Sequence, residues 1–188
     1  MAQERLITQI DYARAGKITP QMETVAAKEH KTPEEIRAGV AKGCIAIPAN
    51  IHHAALSPEG VGEGMRTKVN VNLGISGDLM NAEMELEKVR TAIELGAEGI
   101  MDLSNHGKTH DFRKHLIDMS PAMIGTVPMY DAIGYLEKPL IGITAQDFLD
   151  VVRAHAEDGV DFVTIHAGMN RRTIENFKET GRLMNIVS

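Results

Sequence analysis

From Thr67 onward, short apolar runs alternate with amphipathic stretches. "TKVNVNLG" (67–74) reads as a strand and "NAEMELEKVRTAIELG" (81–96) as a helix, and "AEGIMDLS" (97–104) with "KTHDFRKHLIDM" (108–119) repeats the pair. "AMIGTVP" (122–128) is a third strand, followed by a less regular stretch containing "YDAIGYLEKP" (130–139). "TAQDFLDVVRAHAEDG" (144–159) is a helix capped by Thr144, and "VDFVTIHAG" (160–168) is a fourth strand. "RRTIENFKETG" (171–181) is a helix and "LMNIVS" (183–188) a last strand. Alternation of this kind predicts a parallel sheet with helical crossovers, and the near-continuous apolar runs predict strands buried on both faces. Two α/β architectures fit: a doubly wound sheet, or the first part of an eight-stranded barrel. The nucleotide-binding doubly wound form needs a glycine-rich turn after its first strand. "NLGISGD" offers Gly74 and Gly77 without G-x-G-x-x-G spacing, so the expected fold is a partial (β/α)8 barrel holding about the first five strands.

Residues 1–66 follow a different pattern. "TPQMETVAAKEH" (19–30) and "TPEEIRAGVAKG" (32–43) each place Thr-Pro at a helix start with acids in the first turn. Thr19 and Thr32 suit the cap, Pro20 and Pro33 the first helical position, and Gly43 the stop. "CIAIP" (44–48) reads as a short strand and "ANIHHAALSPEGVGEG" (49–64) as a loop. The expected organisation is a small helical N-terminal domain over 1–66, ending in a long loop, and the barrel portion over 67–188.

Composition narrows the function classes. A net charge of -6 argues against non-specific nucleic-acid binding, which needs a basic face. The single cysteine, Cys44, excludes a disulfide framework within the chain, fits a reducing cytoplasm, and cannot alone build an iron–sulfur or structural zinc site. No apolar run approaches the roughly 18 residues of a membrane span, so neither nucleic acid nor membrane is an expected partner.

In a parallel barrel, ligand-binding groups collect where strands end. Those positions hold Asn72, Met101, Asp102, Tyr130, His166 and Ser188. Each also has a plainer role. Asn70 and Asn72 can bond local backbone, Met101 can fill the core, Tyr130 can anchor its ring in a loop, and His166 can be structural. Asp102 at a buried strand end needs a partner. His106 and His110 have the i, i+4 spacing of a helical metal pair, but no third ligand follows and Gly107 lies between them, so a solvated face is expected and no metal site. His52–His53 lies in the loop and could touch a ligand from above the barrel.

The blocks "IPANIHH", "TKVNVNLGISGD", "IMDLSNHG", "SPAMIGTVPMYDA", "GVDFVTIHAG" and "NIVS" follow one another as in the phosphomethylpyrimidine synthases of thiamine biosynthesis. They resemble equally the paralogous anaerobic 5-hydroxybenzimidazole synthases, which make the lower ligand of cobalamin. The resemblance implies a radical S-adenosylmethionine lyase acting on 5-aminoimidazole ribotide. It further implies a [4Fe-4S] cluster on C-x-x-C-x-x-x-x-C, a divalent metal such as zinc, and a homodimer when full length. It assigns ribotide contacts to Asn72, Met101, Tyr130 and His166, and matches Ser188 to the serine of a Ser-Arg-Gly substrate motif. The Arg and Gly of that motif, an Asp-Gly-Leu-Arg segment, a later glutamate, two metal-binding histidines and the cluster cysteines have no counterpart in these 188 residues. The chain therefore reads as the N-terminal half of a longer enzyme, with no cofactor expected on it alone, completed by a C-terminal half or another copy. "VNVNLG", "MDLSNHGKTHDFRKH" and "AGMNRRTIENFKETGRLMNIV" differ from usual thiamine-branch wording, so the expected product is 5-hydroxybenzimidazole, with the thiamine pyrimidine as the alternative. A third expectation, from another class, is a non-catalytic ribotide-binding subunit or inactive fragment.

Overall fold

A computed structural model describes residues 6–181, except 79, 108, 137, 138 and 169, and except the side chains of 133–135 and 140. The expected last strand, "LMNIVS", and Ser188 lie outside the described residues.

Three capped helices open the chain. Helix α1 (Gln9–Arg14) carries a capping box between Thr8 and Asp11. Helices α2 (Pro20–Glu29) and α3 (Pro33–Lys42) begin as their Thr-Pro starts predict, with the Thr19 and Thr32 hydroxyls accepting from Met22 and Glu35 N–H. Strand β1 (Ile45–Ala46) pairs antiparallel with β2 (Val61–Gly62), a strand inside the stretch expected to be loop. Ala13, Met22, Val25, Ile36, Val40, Ile45 and Ile47 form one hydrophobic cluster here.

A second cluster lies under a parallel sheet. Strands β3 (Asn70–Leu73), β4 (Gly99–Asp102), β5 (Met123–Thr126) and β6 (Phe162–Val163) pair in chain order. Helices α4 (Ala82–Glu94) and α5 (His110–Met119) fill the first two crossovers, and α6 (Pro128–Leu136), a 3₁₀ turn (Leu140–Gly142) and α7 (Ala145–Asp158) fill the third. Helix α8 (Arg171–Thr180) follows β6. Register sets Val71, Ile100 and Ile124 side by side; with Leu73, Leu86, Val89, Phe112, Leu116 and Ile117 they make the helix-side core.

The alternate residues form the opposite face. Asn72, Met101, Gly125 and Phe162 occupy one row across the sheet. Gly125 is required there, because a Cβ would stand 2.3 Å from the Phe162 ring. β4 and β5 are almost wholly buried, as the near-continuous apolar runs predict, whereas Asn70 and Asn72 of the edge strand β3 are exposed, so that this face is open at β3.

One other local expectation changes, and the His106–His110 spacing resolves without a helix between them. The stretch read as irregular is helix α6, started by Pro128 and carrying Asp131 in its first turn. His106 and His110 do not share a helix: Gly107 turns at φ 75° between them, and His110 Nδ1 lies 3.0 Å from Asp158 Oδ1.

The loop after β1 is fastened beneath the sheet. Asn50 N–H donates to Asp161 Oδ1 (2.8 Å), and the Asn50 amide donates to the carbonyls of Ala156 and Val160. Buried His53 sets Nδ1 2.7 Å from Asp161 Oδ2 and Nε2 2.8 Å from the Ser120 carbonyl. Ser120 precedes β5 and Asp161 precedes β6, so His53 sits at the amino ends of the strands. A ligand contact from above the sheet is thereby overturned. Among the described residues no helix is long and apolar enough to cross a membrane.

Candidate functional site

At the carboxyl ends, strand phase turns a row of side chains toward the open face. Asn72 stands beside Met101 in register, and its Oδ1 accepts from the Asn70 amide at 3.0 Å. The Thr164 hydroxyl donates to Met101 Sδ at 3.8 Å. Two residues further on, His166 Nε2 lies 3.3 Å from the Tyr130 hydroxyl, with ring centroids 5.2 Å apart and planes tilted by 47°. Register thus sets Asn72 beside Met101, which Thr164 contacts, and a separate contact joins Tyr130 to His166; Thr164 was not singled out from sequence. Ser188 lies outside the described residues.

His166 is incompletely bonded. Its Nδ1 is buried and has no hydrogen-bond partner among the described residues. A buried polar atom left this way costs about 1–3 kcal/mol, so it calls for a ligand or water. Tyr130, Met101 and His166 are all half-buried, shielded on the helix side and open on the other.

Asp102 does not join this row. It shares its register position with Leu73 and Thr126, which turns it to the helix side, where its Oδ1 accepts from Ser104 N–H (2.9 Å) and the Ser104 hydroxyl. Burial pushes its carboxyl above the usual range, against the pull of those bonds. The partner it needed is Ser104, in a strand-end turn. Nearby, Gly74 (φ 145°) brings the loop after β3 so close to the Leu103–Ser104 backbone that a Cβ would lie 2.6 Å from Ser104 N.

Behind Tyr130 lies a buried polar frame that sequence reasoning missed. Asp131 Oδ1 accepts from the Thr109 hydroxyl (2.6 Å), and its Oδ2 from His155 Nε2 (2.8 Å) and Arg113 Nη1 (3.2 Å). Arg113, 1% exposed, also donates from Nε and Nη2 to Asp158 Oδ2 at 2.8 and 2.7 Å. His155 Nδ1 lies 2.9 Å from the Thr126 hydroxyl at the end of β5. Burial opposes ionisation of Asp131, but the His155 and Thr109 bonds and the Arg113 charge outweigh it and hold the carboxyl below its ordinary value. The available signal was a set of polar residues at inward helical phases: Arg113 next to Phe112, and His155 four places after Val151.

The donor set does not fit a cluster or a zinc ion. Cys44 is one exposed thiol, and among the described residues no three His, Cys, Asp or Glu side chains converge to hold a metal. A cavity of about 520 Å³, lined by Ile10, Val40, Ile47 and Asp161 among others, contains none of the four strand-end residues. The shallow carboxyl-end row is the better candidate, because its chemistry includes an unpartnered buried nitrogen.

Comparison with known proteins places the chain in a family. The chain is 63% identical over 181 residues to the phosphomethylpyrimidine synthase of Alkaliphilus metalliredigens, covering 96% of this chain and 41% of that protein. It is 61% identical to the protein of the same name from Clostridium tetani, covering 96% and 40%. For the Clostridium perfringens protein of that name the identity is 59%, covering 96% and 42%. The chain thus spans about two fifths of the length of these relatives. The model of the radical SAM ThiC family matches residues 8–188, and the chain belongs to that family.

Proposed function

We propose that this chain is the ribotide-holding first part of a phosphomethylpyrimidine synthase, with Asn72, Met101, Tyr130 and His166 receiving 5-aminoimidazole ribotide at the carboxyl ends of the strands. The observation that carries this reading is the row itself, ending on the buried, unpartnered Nδ1 of His166. The names of the relatives favour the thiamine-pathway alternative over the 5-hydroxybenzimidazole expectation. Ser188 belongs to the proposed contacts through the family motif.

The proposal extends to architecture. Strands pairing in chain order, with no reversal, suit the first part of a (β/α)8 barrel over 67–188, with residues 1–66 as a small N-terminal domain. The open face of the sheet would then be the barrel interior, covered by the C-terminal half of the longer enzyme, itself a cytoplasmic homodimer.

Family membership implies S-adenosylmethionine and an iron–sulfur cluster that together supply radical chemistry. The residues of this chain do not fit the cluster, so no step through it is assigned to them. Their part is to bind and orient. Asn72 offers an amide with both donor and acceptor, while Tyr130 and His166 present a hydroxyl and an imidazole on adjoining sides of one space. Holding a reactive intermediate in register and away from water is a large part of what a protein adds to cofactor chemistry.

The test is turnover of 5-aminoimidazole ribotide by the full-length holoenzyme, with products separated by mass spectrometry. Formation of the thiamine pyrimidine phosphate is expected. Accumulation of 5-hydroxybenzimidazole instead would move the protein to the other branch, and binding without turnover would favour the non-catalytic reading.

A further inference from the structure

We infer that Asp131 is a positioning residue, holding the first turn of α6 at the angle that presents the Tyr130 hydroxyl to His166 and the ligand space. The ribotide-binding readout below rests on the proposed function; the geometric one does not.

Asp131 directly follows Tyr130 and is 4% exposed. Its carboxylate receives three donors from outside α6: the Thr109 hydroxyl at the start of α5, Arg113 on α5 and His155 on α7. His155 passes the connection to the Thr126 hydroxyl on β5. The turn that bears Tyr130 is therefore tied to two helices and a strand, and Tyr130 N–H closes it on the Val127 carbonyl at 2.9 Å. On its other side the tyrosine meets the tilted ring of His166 through its hydroxyl at 3.3 Å.

Leverage makes this tie consequential. A phenolic oxygen sits far from its helix axis, so a rotation of roughly 10° displaces it by about 1 Å, and misplacement of that order costs on the order of 10²-fold in rate. An apolar filling would often hold such a buried site as well as an ion pair, or better. What the carboxylate adds is direction: three donors on two oxygens define one orientation of the turn, whereas methyl groups tolerate several.

The experiment compares Asp131→Asn with Asp158→Asn in the full-length holoenzyme. Both substitutions remove a carboxylate from the same Arg113, but only the first touches α6. Asp131→Asn is expected to raise the KM for 5-aminoimidazole ribotide at least tenfold, while Asp158→Asn changes it less than twofold at a similar loss of thermal midpoint. In a Tyr130→Phe background, Asp131→Asn is expected to add nothing further. In ¹⁵N-histidine spectra it should move the His166 Nε2 resonance toward its Tyr130→Phe position, and Asp158→Asn should not. Additive effects with Tyr130→Phe, equal KM changes in both variants, or an unmoved His166 resonance would overturn the inference. If Asp131→Asn does not fold, Thr109→Val removes one bond from the same carboxylate, together with the bond that Arg113 Nη1 donates to the Thr109 hydroxyl, and is read the same way with smaller shifts. If the unmodified enzyme binds no ribotide, the proposed function fails, and the histidine spectra still decide the positioning.

Discussion

His166 has one nitrogen against a tyrosine hydroxyl and the other buried without a partner among the described residues. A side chain in that state adds little to folding and a good deal to binding. Replacing it by alanine removes a partner from the proposed ligand and, within the protein, frees only the half-buried Tyr130 hydroxyl. His166→Ala is expected to weaken ribotide binding in the full-length enzyme by about 1–3 kcal/mol, with a thermal midpoint close to the unmodified value. Asn72→Ala, on the exposed side of β3, should behave alike. Calorimetric titration with ribotide and a melting curve check both, and a variant with normal affinity returns its residue to a structural role. These positions were legible because strand phase points every second side chain to one face, so an Asn, a Met and a His at strand ends can be aligned from sequence alone. Thr109, Arg113, Asp131 and His155 were not legible. Their bonds join positions 18, 22 and 24 residues apart along the chain, and nothing local marks an inward-facing charge as paired.

Among the elements, the loop clasp at His53 carries an expected pH dependence. A carboxylate and a main-chain carbonyl can only accept, so the contacts of Nδ1 to Asp161 and Nε2 to Ser120 are both satisfied when the ring carries two protons. Burial alone would lower the His53 pKa, but the bond to Asp161, its charge and the Ser120 carbonyl outweigh that and raise it above the ordinary 6.5. A raised value means the folded state holds the proton more tightly than the unfolded chain. The clasp therefore contributes its full stabilisation below about pH 6.5 and loses it as pH rises through the folded value. Chemical denaturation of the unmodified chain and of His53→Gln, at pH values on both sides of that range, is expected to show a difference that shrinks as pH rises. A difference independent of pH would mean that His53 is neutral in the fold. The same scale explains what sequence conveyed about elements. Thr-Pro starts and glycine stops announced α2 and α3, because caps are local chemistry. Helix α6 was hidden because its first turn is held by distant partners of Asp131, and β2 because two residues carry too little pattern to register as a strand.

For the molecule as a whole, the expectations concern what residues 1–188 can do when isolated. A [4Fe-4S] cluster is held by several thiolates, and this chain has one cysteine. Anaerobic reconstitution with iron and sulfide is expected to leave the isolated chain without a cluster, and stoichiometric incorporation measured by iron and sulfide analysis would contradict this. The open sheet carries a larger consequence. Among the described residues strand β3 pairs on one side only, with β4, which leaves its other edge without a strand partner beside Val69, 60% exposed. At the other end of the sheet Val163 and Ile165 are 37% and 47% exposed, and Ile174 of α8 is 44% exposed. A closed barrel would remove the edges and cover these groups, whereas an unprotected edge next to apolar surface is a template for another chain. Domain stability is commonly only about 5–15 kcal/mol, so an uncovered strand edge and part of a sheet face are a substantial loss against what the helix-side core supplies. The isolated chain is therefore expected to self-associate at micromolar concentration, and to become monodisperse when the remainder of the longer enzyme is supplied in trans. Sedimentation velocity across a concentration series, with and without that remainder, measures both. A cooperatively folded monomer at every concentration would show that the four strands are self-sufficient and that their open face is not the interior of a barrel.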